Sequence, residues 1–108
     1  MEFDDYQQEA RKTAIYPQDM KVAYPTIGLA GETGEVAEKV KKCIRDNGGV
    51  FDDERRTAVA EELGDVLWYL AAIASDLGCS LDDIARMNIK KLRSRASRAQ
   101  IHGEGDHR

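Results

Sequence analysis

Histidine, cysteine, proline and tryptophan are scarce in this chain, with two, two, two and one copies in 108 residues. The two histidines, His102 and His107, fall in the last seven positions, so none of the expected helices carries the Glu-x-x-His pair that holds di-iron centres in helical bundles. Cys43 and Cys79 form no C-x-x-C pair and read as reduced thiols at helix ends, without assigned chemistry. Pro17 and Pro25 both lie early, which leaves everything after them free of helix breakers of that kind. No apolar run approaches the ~18 residues of a membrane span, and Met1-Glu2-Phe3-Asp4-Asp5 lacks the basic and apolar blocks of a signal peptide. A soluble cytoplasmic protein that does not engage a membrane is expected. A formal charge of −4 argues against bulk nucleic-acid binding. No stretch alternates apolar and polar residues with period two, which leaves helix as the expected structure.

The punctuation divides the chain into about four helices forming one all-α bundle domain over residues 1–108. The stripe Phe3, Tyr6, Ala10 and Ala14 predicts a first helix from Phe3 to Ile15, ending before Tyr16-Pro17. Thr26 is a candidate N-cap for a second helix to about Arg45, stopped by Asp46-Asn47-Gly48-Gly49. Asp52 or Asp53 can cap a third helix running to about Leu77 before Gly78. Ser80 with Asp83 is a capping-box variant launching a fourth helix to roughly Arg98. The tail from Ile101 to Arg108 is expected to be irregular unless a ligand or neighbouring subunit orders it.

One pattern occurs twice. Leu29, Glu32, Glu35, Val36 and Val40 are answered 30 positions later by Val59, Glu62, Asp65, Val66 and Leu70. At about 100° per residue, Val36 and Val40 fall within roughly 20° of Leu29, while Glu32 lies about 60° and Glu35 about 120° to one side. Glu62 and Asp65 repeat those angles from Val59. Packing the two apolar stripes together sends four carboxylates into one space, and four like charges there require a cation. Hard oxygen donors suit Mg²⁺, with Mn²⁺ as a substitute. One such helix would read as a solvated flank; two in matched register favour a metal site. Glu38 and Glu61 lie away from the stripes and read as solvent-facing.

The helix around Trp68 is apolar beyond its stripe of Val59, Leu63, Val66, Leu70, Ile73 and Leu77, because its far side carries Gly64, Trp68, Ala71 and Ala72. Such a face is expected to be covered by a second subunit, or else by the first helix. On the last helix Asn88 sits between Ile84 and Leu92, inside an apolar stripe, and Lys91 and Arg95 follow on much the same side. An inward amide flanked by two cations suits a phosphorylated ligand. Carboxylate-bound metal with converging cations points to phosphoanhydride chemistry.

The run Gly28-Leu29-Ala30-Gly31-Glu32-Thr33-Gly34-Glu35-Val36-Ala37-Glu38-Lys39-Val40-Lys41-Lys42, followed by Glu61-Glu62-Leu63-Gly64-Asp65-Val66-Leu67-Trp68-Tyr69-Leu70, resembles the MazG-like all-α nucleoside triphosphate pyrophosphohydrolases. Their ExxE, spacer, ExxD signature maps onto Glu32, Glu35, Glu62 and Asp65, and their later Asn and basic positions onto Asn88, Lys91 and Arg95. The resemblance implies Mg²⁺-dependent cleavage of a nucleoside triphosphate between its α- and β-phosphates, often as nucleotide-pool cleansing, by a homodimer or homotetramer. Glu35 and Glu62 are the candidate catalytic carboxylates; Lys39 and Trp68 join Asn88, Lys91 and Arg95 as candidate substrate contacts. Two positions depart from the pattern. Gly31 stands where some relatives carry a further Glu, and Arg98-Ala99 where relatives with this type of tail have Arg-Gly. The rival readings are a metal or nucleotide sensor without turnover and a helical interaction module, the latter opposed by net acidity and by the lack of aromatics among the last helix's cations. No residue specifies the base.

Overall fold

The computed structural model describes residues 1–102, and all regular structure among them is helical. The four helices are α1 (Phe3–Arg11), α2 (Ala23–Asn47), α3 (Asp53–Asp76) and α4 (Leu81–His102), with one 3-10 turn at Gln18–Met20 between α1 and α2.

α1 stops four residues short of Ile15. The Thr13 hydroxyl donates to the Ala10 carbonyl (2.7 Å), and the Thr13 and Ala14 N–H groups bond three residues back to Ala10 and Arg11. A threonine side chain competing for its own helix's carbonyl tightens the last turn and ends it. α2 begins before the expected cap. Pro25 occupies its third position, where a helix has no use for the N–H that proline lacks, and the Thr26 N–H already bonds the Val22 carbonyl (3.0 Å). Val22 precedes the helix at φ 65°, a conformation β-branched residues rarely adopt. It is held there by the Asp76 carboxylate at the end of α3, which accepts the Val22 N–H at 2.9 Å. The element entry is therefore fixed by a residue more than fifty positions away, beyond the reach of local sequence signals.

The other boundaries follow their local chemistry. Gly48 (φ 60°) and Gly49 (φ 77°) turn the chain off α2, with the Gly49 N–H returning to the Cys43 carbonyl. Asp52 caps α3 by accepting the Arg55 N–H (3.0 Å). Ser80 accepts the Asp83 N–H at 3.3 Å and donates to Asp4 (2.6 Å). Gln7 of α1 stitches this corner: its amide donates to the Ser75 hydroxyl and Cys79 carbonyl and its oxygen accepts the Leu81 N–H. α4 extends past Arg98 through Ile101 and His102, two residues assigned to the tail from sequence; the rest of that tail lies outside the described residues.

α2 packs most extensively against α3, α1 also packs against α3, and α4 packs against α1. The buried centre joins Ala10, Ala71, Ala74 and Leu81, with Tyr6 and Trp68 against it. Of the two covers expected for the Trp68 face, α1 is the one seen within the chain: it packs against Trp68, Ala71 and Ala72, where small alanines let that short helix approach closely. The surface left open is instead the line Leu63, Leu70 and Leu77 of α3, exposed at 51%, 42% and 60%. Among the described residues, no helix is long and apolar enough to cross a membrane. Cys43 and Cys79 are free thiols.

Candidate functional site

The α2–α3 pairing places the repeated acidic pattern on facing flanks. Glu32 comes from α2, Glu62 and Asp65 from one turn of α3, and one carboxylate oxygen from each lies within 4.8 Å of the other two. Glu32 and Glu62 are half-buried and Asp65 is exposed. Burial, then the charges of Asp65, Glu62 and Glu35, then a hydrogen bond with Glu62, all raise the Glu32 carboxyl above its ordinary range. Every neighbour in that set is another carboxylate. Crowded carboxylates with no compensating cation in the set are a donor arrangement suited to a hard divalent ion.

Glu35 does not share the three-way approach. It is exposed, close enough to act on Glu32 through its charge. Lys39, one turn further, lines a depression beside Glu62 together with Asp53, Glu54, Thr57, Ala58 and Glu61. Glu38 pairs with Lys41 at 3.1 Å, outside the group, in keeping with its reading as a surface residue.

On the other side of the cluster an open hollow of about 330 Å³ is lined by Thr13, Glu32, Asp65, Trp68 and Tyr69. Trp68 thus lies beside the carboxylates, its ring edge-on to Tyr69 with centroids 5.0 Å apart and planes at 84°. Tyr69 sits directly over Gly28 of α2, where an added Cβ would come within 2.1 Å of the ring. Only glycine admits the ring there. Burial and then the charges of Tyr24, Glu32 and Asp65 raise the Tyr69 hydroxyl's pKa; burial and Asp65 do the same for Tyr6. Two phenols therefore border the cluster and stay protonated.

Asn88, Lys91 and Arg95 line neither depression beside the carboxylates. Asn88 and Lys91 are exposed and Arg95 is half-buried on α4. Within one chain three of the acids converge from α2 and α3, while α4 is anchored through its first turn to α1.

Residues 25–99 match the family described as the MazG nucleotide pyrophosphohydrolase domain. The chain belongs to that family. The Gene 37 protein of Mycobacterium phage L5 is similar to it, 45% identical over 114 aligned positions that span all of both chains. No solved structure matches it. The MazG family match begins at Pro25 within α2, so α1 and the α1–α2 connector fall outside the matched segment.

That outlying segment supplies the residues sequence reasoning passed over. Tyr6 and Thr13 reach the carboxylate neighbourhood from α1 and the turn after it, and nothing in their spacing announced it. Asp76 was likewise unmarked. Its side chain is fully buried, accepts from Tyr16 (2.7 Å) and Val22, and pairs with Arg11 at 2.8 Å. Burial pushes its pKa up, but these donors outweigh it and hold the carboxyl below its usual value. A signal did exist: an acid closing the uncharged second half of α3, from Val66 to Ser75, with Arg11 and Tyr16 early in the chain.

Proposed function

We propose that this protein is a Mg²⁺-dependent nucleoside triphosphate pyrophosphohydrolase, cleaving between the α- and β-phosphates to give a monophosphate and pyrophosphate. The observation that carries the reading is the convergence of Glu32, Glu62 and Asp65 from two helices, in a chain of the MazG nucleotide pyrophosphohydrolase family. These three carboxylates are the proposed metal ligands, with Glu35 completing the set from its position next to Glu32. A Mg²⁺ held by these carboxylates would neutralise phosphate charge and lower the pKa of water, with Mn²⁺ as a substitute. Glu35 and Glu62 are the carboxylates proposed to take the proton from the attacking water. The oxygen–phosphorus bond forms as the bridging P–O bond breaks, and pyrophosphate departs with the bonding electrons.

Trp68 is the proposed stacking surface for the base, and Lys39 a proposed phosphate contact at the far side of Glu62. Asn88, Lys91 and Arg95 line neither depression beside the acids. The reading therefore includes a homodimer or homotetramer in which a neighbour's α4 brings these groups to the phosphates. The exposed line Leu63, Leu70 and Leu77 supports such assembly. Cleansing of the cytoplasmic nucleotide pool is the proposed role.

The decisive experiment is product analysis with Mg²⁺ and a panel of canonical and modified triphosphates. Monophosphate and pyrophosphate are expected. Orthophosphate released without added pyrophosphatase would contradict the reaction.

A further inference from the structure

The aromatic wall of the hollow is held by a residue outside the family match. The Thr13 hydroxyl gives its proton to the Ala10 carbonyl (2.7 Å), so its lone pairs face outward, and the Trp68 indole N–H donates to them at 2.8 Å. Thr13 is itself fixed from both sides. Arg11, two residues before it, and Tyr16, three after it, converge on the buried Asp76 carboxylate, and Arg11 also donates to the Tyr16 hydroxyl (2.9 Å). Trp68 is restrained on its other flank by Tyr69, whose ring is pinned against Gly28. Thr13, Trp68 and Tyr69 share one hollow with Glu32 and Asp65.

We propose that Thr13 is a positioning residue for substrate binding: it sets the orientation of Trp68 and occupies its N–H, so that a bound base meets the ring's π surface and no hydrogen-bond donor. The proposal rests on the nucleotide reading above. Stacking tolerates any base, because every base has a π face, whereas a free indole N–H would favour those that place an acceptor within its reach. The connector anchored by Asp76 is thereby a specificity element: it keeps this wall of the site indifferent to base identity. Removing the hydroxyl releases both the ring and its donor.

Trp68 is the chain's single tryptophan, so its fluorescence reports this one contact. Thr13→Val deletes the hydroxyl while leaving the backbone N–H bond to Ala10 that forms the turn, and Thr13→Ser retains the hydroxyl. Emission and quencher access are compared in the three proteins, followed by kcat and KM for several triphosphates. In Thr13→Val the emission should shift, quenching should increase, and KM should rise about 2- to 10-fold, the range of one hydrogen bond, with kcat within about twofold. The spread of KM among bases should widen, and Thr13→Ser should behave as wild type. Wild-type emission in Thr13→Val, or a shifted emission with unchanged KM and unchanged base preference, would overturn the positioning role while leaving the reaction intact. A wild-type protein that neither hydrolyses triphosphates nor binds an uncleavable α,β-methylene triphosphate would overturn the nucleotide reading itself.

Discussion

Asp76 and Glu32 are carboxylates withdrawn from water to different degrees, on the same helix pair, and their pKa values move in opposite directions. The Asp76 side chain is fully buried yet its carboxyl sits below its ordinary value, because a backbone N–H and a phenol donate to it and a guanidinium is ion-paired with it. Glu32 is only half-buried yet sits above its ordinary value, raised first by burial and then, with no donor to offset it, by the charges of the acids around it. Burial alone does not explain the contrast; the company does. A carboxylate the fold needs is given donors from the fold. Carboxylates gathered against one another raise the energy of the folded chain and are the arrangement expected where a cation from outside completes the site.

The largest effect that would sharpen this contrast is on turnover. Glu62→Gln should reduce pyrophosphate release by about 10²–10⁴-fold, the range of a lost acid–base group, while the metal-free variant melts no lower than wild type. Asp76→Asn should do the reverse. It should cost about 2 kcal/mol of stability, in the range for hydrogen bonds to a charged group, with turnover per folded molecule changed little. Finding Glu62→Gln destabilised and Asp76→Asn as stable as wild type would invert the comparison.

A smaller effect is the pH dependence. The folded pKa of Asp76 is depressed, so its stabilisation is present at neutral pH and is lost only as pH falls through that depressed value, below the ordinary carboxylate range of about 4. The folded pKa of Glu32 is raised, so the folded chain is penalised while Glu32 is ionised, and the penalty lifts as pH falls through the raised value. Metal-free Glu32→Gln should therefore melt above wild type at pH 7, with the gap closing as pH approaches about 4. The deficit of Asp76→Asn should persist over that interval and shrink only below it. Melting curves at a series of pH values check both, and gaps that run parallel across the series would remove the distinction.

Much of this was legible in the sequence because it is periodic or local. The matched register of Glu32 with Glu62 and Asp65 indicated which helices pair, though Glu35 stands outside the three-way approach, and the caps at Asp52 and Ser80 are written in adjacent residues. Long-range contacts were not legible. The start of α2 depends on Asp76 gripping Val22, and α1 ends early because Thr13 turns back on Ala10. The apolar excess around Trp68 was visible, but the burial pattern that α1 imposes on it was not: Ala71 and Ala74 lie in the centre while Leu70 and Leu77 face out. Hydrophobicity predicts that a face is covered and leaves open which element covers it.

The central claim is that the acidic cluster binds a divalent ion and Asp76 does not. Thermal melts of wild type, Asp65→Asn and Asp76→Asn, each with and without Mg²⁺ or Mn²⁺, test it most directly, since an ion bound to the folded state alone raises its stability by mass action, about 2.7 kcal/mol at a hundred times Kd. Metal should raise the melting temperature of wild type and of Asp76→Asn by the same increment, and that of Asp65→Asn far less. An equal increment in all three, or none in any, would contradict the account.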